Sequence, residues 1–183
     1  MKKYIYALVV LAFFACKNNN PEVKTAPTQT THENTPTPSD LNETKTKVDV
    51  TFQDSTFTAI YNAYLDLKGS LVNTDASKAK ETANAMFVTI GEDYKAKGLV
   101  KAIQKIEGSN DVEAQRTAFE DVSKIMEALI SENEITSGAI YKQYCPMAFN
   151  GKGAYWLSNS NEVRNPYFGD VMLKCGVVDK EIK

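Results

Sequence analysis

Histidine is almost absent from this sequence. One histidine occurs among 183 residues, His32, and it lies in a polar stretch rich in Thr, Pro and Asn. A serine or cysteine nucleophile needs a nearby base, and the region after His32 has no histidine to serve as one. A lone histidine in such a stretch is more often a solvated side chain than a metal ligand. We therefore expect a protein that is not an enzyme.

An excess of basic charge is also lacking. The chain has 21 Lys and Arg residues against 23 Asp and Glu residues, for a formal net charge of −2, and no basic stripe interrupts this balance. Proteins that bind nucleic acids usually carry a clustered basic surface. The composition therefore predicts no nucleic-acid partner.

The longest apolar run is too short to span a bilayer. It extends from Tyr4 to Ala15 behind Lys2 and Lys3, and its twelve or so residues compare with the roughly 20 that a membrane span needs. This is the pattern of a secretory signal peptide. The run ends at Ala15-Cys16, as bacterial lipoprotein signals do, with a small residue before a cysteine that is acylated.

This signal-peptide pattern predicts export and lipid anchoring. We predict a signal peptide over residues 1–15 and a lipid on Cys16 that attaches the protein to a bacterial membrane. Lys17-Asn-Asn-Asn20 lacks the acidic residues that resemble surface-export signals, which favours a position facing the periplasm. The Thr- and Pro-rich residues that follow predict a disordered linker, so that residues 16–54 form tether and linker. Residues 55–183 are predicted to be the folded domain.

The first part of this domain has the periodicity of amphipathic helices. One set of apolar residues runs from Phe57 to Leu71, and a second from Ala79 to Tyr94 begins after Asp75, a good N-cap. A short helical piece from Leu99 to Ile106 ends at Gly108. Asp111 can cap a third long helix, which carries apolar residues as far as Ile130.

Beyond Gly138 the sequence is dense in aromatic residues and interrupted by Gly and Pro. This composition predicts a helical turn near Ile140–Tyr144, an irregular aromatic loop and a short final helix from about Pro166 to Cys175. No strand pairing is evident. The expected fold class is all-α, a bundle of three to four helices with an irregular aromatic cap at its C-terminal end.

Four sulfur-bearing residues in this cap are the candidates for chemistry: Cys145, Met147, Met172 and Cys175. Pro146 favours an extended chain at Cys145, where alternate residues share a face, and residues three apart share a face of a helix. Thiolates and thioethers are soft ligands that prefer Cu(I). They predict a copper or silver site. The alternative is a Cys145–Cys175 disulfide, because cysteines of exported proteins usually pair, or two inert buried thiols, with both methionines filling the core.

Several blocks resemble a known family. They are Tyr144-Cys-Pro-Met-Ala148, Gly153-Ala-Tyr-Trp-Leu-Ser158, Asn165-Pro-Tyr-Phe-Gly169 and Met172-Leu-Lys-Cys-Gly176, with Tyr64-Leu-Asp-Leu-Lys68 and Gln115-Arg-Thr-Ala-Phe119 upstream. Together they are similar to the domain-of-unknown-function family 3347, whose members occur as exported lipoproteins and on periplasmic adaptors of heavy-metal efflux pumps. The Cys-Pro-Met piece also resembles a small heavy-metal-binding motif, from which the chain departs at Ala148, where that motif has histidine.

This resemblance implies handling of copper or silver next to an efflux adaptor or another envelope protein. In the alternative interpretation, the same segment is a disulfide-stapled cap, and the domain is a non-catalytic module that binds an envelope protein. The sequence leaves both open.

Overall fold

The computed structural model describes residues 39–90 and 98–183. Those between 39 and 183 belong to one compact unit. The predicted signal peptide, Cys16 and His32 lie outside the described residues. Within the described ranges, no helix is both long and apolar enough to cross a membrane.

The helices follow the predicted periodicity. They are α1 (Ser55–Val72), α2 (Ala76–Thr89), α3 (Leu99–Glu107) and α4 (Val112–Ile130). The Asp75 carboxylate accepts a hydrogen bond from the Lys78 N–H at 2.8 Å, and Asp111 accepts one from the Glu113 N–H at 3.0 Å, so both predicted N-caps are confirmed. Tyr94, predicted on the second helix, lies outside the described residues.

The prediction of an all-α bundle is wrong, because strands follow the helices and one precedes them. They are β1 (Thr51–Phe52), β2 (Ile135–Ser137), β3 (Ile140–Cys145), β4 (Ala154–Ser158) and β5 (Val177–Ile182). Strands β1 and β2 form an antiparallel pair, and a second antiparallel sheet has the order β4-β3-β5. The fold is therefore mixed α and β.

The sequence predicts a helical turn where the structure has strand β3. Ile140, Tyr141 and Tyr144 suit a strand as well as a helical turn, and six residues are too few for periodicity to decide between them. The segment is a strand because it pairs with β4 on one side and with β5 on the other. The predicted final helix is a 3₁₀ helix, Gly169–Met172, after which the chain returns into β5. Between β3 and β4 lies a single turn, α5 (Ala148–Gly151).

Two tyrosine hydroxyls cover the outer edge of β4. The Leu157 N–H donates to Tyr64 Oη at 3.0 Å, and Tyr167 Oη donates to the Tyr155 carbonyl at 2.6 Å. Both backbone groups are on the side of β4 that does not pair with β3, since residues two apart in a strand share an edge. Helix α1 and the C-terminal loop thus occupy hydrogen-bonding positions that a second strand would otherwise fill.

The residues that precede β1 also lie on the folded unit. We call residues 39–48 the strap. The Lys45 N–H donates to Glu162 Oε1 at 2.7 Å and the Val48 N–H to the Asn159 carbonyl at 2.9 Å, while Val50 and Phe52 are buried in the core. The sequence predicts that these residues belong to the linker. The ordered chain therefore extends to the N-terminal side of the predicted boundary at residue 55.

Candidate functional site

The structure brings the two C-terminal cysteines into contact. Cys145 is the last residue of β3 and is fully buried, whereas Cys175 is half-buried in the loop before β5. Their Sγ atoms lie 2.9 Å apart across 30 residues of chain. In the sequence, each cysteine lies close to a methionine. In the fold, the two cysteines contact each other.

Asn165 holds the loop that carries Cys175. Its buried side chain donates from Nδ2 to the Cys175 carbonyl at 2.7 Å and accepts at Oδ1 from the Tyr167 N–H at 2.8 Å. Its own N–H donates to the Leu173 carbonyl at 2.8 Å. Because one buried amide makes bonds on both sides of the loop, it orients Cys175 although no long helix or strand surrounds that residue.

Gly176 completes this positioning. It has φ +145°, and a Cβ built there would lie 2.9 Å from Trp156 Cη2 and 2.9 Å from the Tyr144 carbonyl oxygen. A side chain at this position would push the backbone away from β3 and Trp156. Glycine therefore allows the chain to pass close to the sheet directly after Cys175.

The methionines occupy a different surface. Met147 is 56% exposed, and it lines a groove of about 560 Å³ together with the half-buried Met172, Phe149 and Phe168. The predicted shared face of Cys145 and Met147 is not seen, because one side chain is buried and the other exposed. The observed arrangement pairs cysteine with cysteine and places both methionines in one groove.

The chemistry available here is that of sulfur. Among the described residues, no group of three or more His, Cys, Asp or Glu side chains is placed to hold a metal ion. Hydrogen bonding to Cys145, together with burial and the charge that Cys145 can carry, raises the pKa of the Cys175 thiol to about 11. The Cys175 thiol is therefore protonated at neutral pH unless an oxidant joins the sulfurs or a metal ion displaces its proton.

Aromatic side chains close the interior beside this pair. Trp156 and Tyr167 are buried, with ring centroids 5.9 Å apart in an edge-to-face contact, and Tyr167 also packs on Phe119 of α4. These rings join the C-terminal loop to the helices. Core packing accounts for their position.

One buried lysine is not among the functional residues predicted from the sequence. Lys68 of α1 is 3% exposed, and its Nζ donates to Ser158 Oγ at 3.4 Å. Burial, followed by the positive charges of Lys47 and Arg164, lowers its pKa to about 7, against a smaller opposing effect of Asp40. The signal was present in the spacing, because Lys68 follows Tyr64 by four residues and precedes Leu71 by three on the apolar face.

Comparison with known proteins gives one family match. Residues 60–138 match the family described as "Protein of unknown function (DUF3347)". This part of the chain is similar to the DUF3347 family, and the match covers less than half of the sequence. The resemblance predicted from the sequence is confirmed over this range. No curated protein and no solved structure matches the chain.

The DUF3347 match runs from within α1 to the turn between β2 and β3. It includes two of the blocks noted in the sequence, Tyr64–Lys68 and Gln115–Phe119. The blocks that contain Cys145, Met147, Met172 and Cys175 lie beyond residue 138. Any role of the sulfur residues must therefore be argued from their own geometry.

Proposed function

We propose that this protein is exported, lipid-anchored and non-catalytic, and that it binds a soft metal ion, Cu(I) or Ag(I), as part of metal efflux. The observation that carries the proposal is the 2.9 Å approach of Cys145 Sγ and Cys175 Sγ from separate parts of the chain. Two convergent thiols form a chelating pair, and thiolates favour Cu(I) over hard cations.

The surroundings support a soft ion over other metals. The region after His32 contains no histidine, and the described acidic side chains do not gather into a ligand group. Met147 and Met172 line a separate groove, and their thioethers would complete the ligand set after a rearrangement that brings them to the cysteine pair. Because both thiols must lose protons, and the pKa of Cys175 is raised, affinity for the ion should increase with pH.

Binding an ion requires a small movement of the sulfurs. Two thiolates that each lie about 2.3 Å from one tetrahedral ion are on the order of 3.8 Å apart, which exceeds the 2.9 Å found here. Cys175 is in the loop and Cys145 ends a strand, so the loop is the part that would shift.

The same distance favours a second candidate function. A disulfide has an S–S length of about 2.05 Å, and the two sulfurs would form one after an approach of less than about 1 Å, with a thiol oxidant of the cell envelope accepting the two electrons and both thiol protons being released. A 30-residue loop closed in this way contributes roughly 3.5 kcal/mol in the chain-entropy model. The protein would then be a disulfide-stapled module that binds an efflux adaptor or another envelope protein.

A competition titration separates the two functions. We would reduce the full-length protein and titrate it anaerobically with Cu(I) against a chromophoric Cu(I) chelator. Wild type should bind one ion, Cys145→Ser/Cys175→Ser should bind none, and Met147→Leu/Met172→Leu should bind at least tenfold more weakly. Met86→Leu is the matched control, because Met86 is buried in α2 among core residues, and it should bind like wild type.

Absence of binding by reduced wild type would rule out the metal function. If the protein isolated from the cell envelope then contains no free thiol at Cys145 or Cys175, the disulfide-stapled module is the function to pursue. A partner would be sought by cross-linking in intact cells.

A further inference from the structure

Lys68 is unusual because its ammonium group is buried without a counter-charge. In the described part of the chain, its hydrogen-bond partner is the Ser158 hydroxyl, at the long distance of 3.4 Å. An ammonium group has three donors, and a buried charge is costly unless it is paired. This lysine is therefore held in a place that suits the neutral amine.

The charged groups around Lys68 increase this cost. Lys47 of the strap and Arg164 of the loop after β4 both disfavour the ammonium form, and Asp40 of the strap is the acid that favours it. Asp66, on the same helix, interacts instead with Lys47 and Lys78. Two positive neighbours outweigh one negative neighbour, so protonation of Lys68 strains the closed structure.

The strap covers the two ends of the Lys68–Ser158 bond. At the helix end, Asn42 Nδ2 lies 2.9 Å from the position of a Cβ on Gly69, the residue next to Lys68. At the strand end, Thr46 Oγ1 and Ser160 Oγ are 2.7 Å apart, and Asn159 Nδ2 donates to the Val48 carbonyl at 3.0 Å. Displacing the strap would therefore uncover the residues next to both partners of this bond.

Polar contacts hold the strap in place. Arg164 donates from Nη2 to the Glu43 carbonyl at 3.0 Å, and the Leu41 N–H donates to Asn73 Oδ1 at 2.9 Å. Asn42 Oδ1 and Thr44 Oγ1 are buried without a hydrogen-bond partner in the described structure. A segment with few apolar contacts and unsatisfied polar atoms can open locally while the core stays folded.

We propose that the strap, residues 39–48, is a proton-sensitive latch that opens when Lys68 takes up a proton. Opening brings Lys68 into water and restores its ordinary pKa of about 10.4. Closed, the burial described above holds this pKa near 7. Because the open form binds the proton more tightly, acid shifts the equilibrium towards opening and alkali towards closure. The latch is independent of any metal at the sulfur residues.

Hydrogen–deuterium exchange on the full-length protein tests this latch. Exchange of the strap amides is compared at pH 6.0 and pH 8.5 after correction for intrinsic chemical rates, with helix α4 as internal reference for global folding. If Lys68 titrates as described, strap protection should fall by up to about 30-fold at pH 6.0, while α4 remains protected. This range lies above the ordinary pKa of carboxylates, and residues 39–183 contain no histidine.

The decisive variant is Lys68→Met, which fills the site without a titratable group. Its strap should be protected equally at both pH values. Lys78→Met is the matched control, because Lys78 is an exposed lysine on α2, and it should retain the wild-type pH dependence. If α4 loses protection in Lys68→Met, Lys68→Gln takes its place. A wild-type strap with equal protection at both pH values overturns the proposal, and so does a pH dependence that persists without Lys68.

Discussion

Gly176 occupies a position where a single added carbon should be costly. Its φ of +145° and the two 2.9 Å approaches, to Trp156 and to the Tyr144 carbonyl, leave no space for a Cβ. We expect Gly176→Ala to lower the free energy of unfolding by roughly 2–4 kcal/mol, because both backbone strain and overpacking oppose it. Urea denaturation measures this loss.

Gly151→Ala is the control for Gly176. Gly151 has φ +86° but no atom within 4 Å of a built Cβ, so only the backbone term of about 1 kcal/mol should be lost. Equal losses in the two variants would mean that the close approach at Gly176 relaxes without cost.

Lys68 predicts a pH dependence of stability. Because its pKa is about 7 in the folded state and about 10.4 in the unfolded state, the unfolded chain binds more protons between these values. Stability should therefore rise with pH across this window, and the cost of burying Lys68 is fully present below pH 7. Lys68→Met should raise the free energy of unfolding at pH 7 by at most about 4 kcal/mol.

The gain from Lys68→Met should shrink as the pH approaches 9.5. Urea denaturation at pH 7 and pH 9.5 gives the comparison, with Lys78→Met to report the loss of an exposed lysine. A gain that is the same at both pH values would show that the pKa of Lys68 does not differ between the folded and unfolded states.

Between elements, Arg116 of α4 connects the end of α1 to the C-terminal loop. Its Nε donates to the Pro166 carbonyl at 2.9 Å, and its Nη2 donates to the Leu71 carbonyl and to Thr74 Oγ1, each at 3.1 Å. Lysine cannot reproduce this planar set of donors. Arg116→Lys should cost roughly 2–4 kcal/mol in unfolding free energy, because buried carbonyls lose their partners.

Glu113→Gln tests whether the ion pair explains this effect instead. Glu113 pairs with Arg116 but its side chain is 68% exposed, and such pairs contribute about 0–1 kcal/mol. If Glu113→Gln destabilises the protein as much as Arg116→Lys in urea denaturation, the carbonyl contacts are not the main contribution.

The elements also differ in how far sequence could predict them. Helices α1 to α4 carry their information locally, in apolar residues three and four apart and in capping aspartates such as Asp75 and Asp111. Strand β5 has the sequence Val-Val-Asp-Lys-Glu-Ile and is largely exposed. It therefore lacks the alternation of apolar and polar residues that identifies a strand in a sequence. It is a strand because β3 pairs with it, and that pairing is not local.

In the whole molecule, the candidate site could be predicted as a set of residues and not as an arrangement. The four sulfur residues were identifiable from type and spacing, but the contact of Cys145 with Cys175 depends on the closure of the β3-β5 pair and on Asn165. The strap could not be predicted, because polar residues that lie on a folded surface have the same composition as a linker.

The strap also determines how the domain responds to mechanical force. Its contacts at Leu41, Glu43, Lys45 and Val48 follow one another along the chain, so a pull applied at Ser39 loads them one at a time, as in unzipping. Ten residues drawn out in this way span at most roughly 35 Å before tension reaches Val50 and Phe52 in the core. We therefore expect a pull at Ser39 to detach the strap at low load, while the helices and the cysteine pair remain folded.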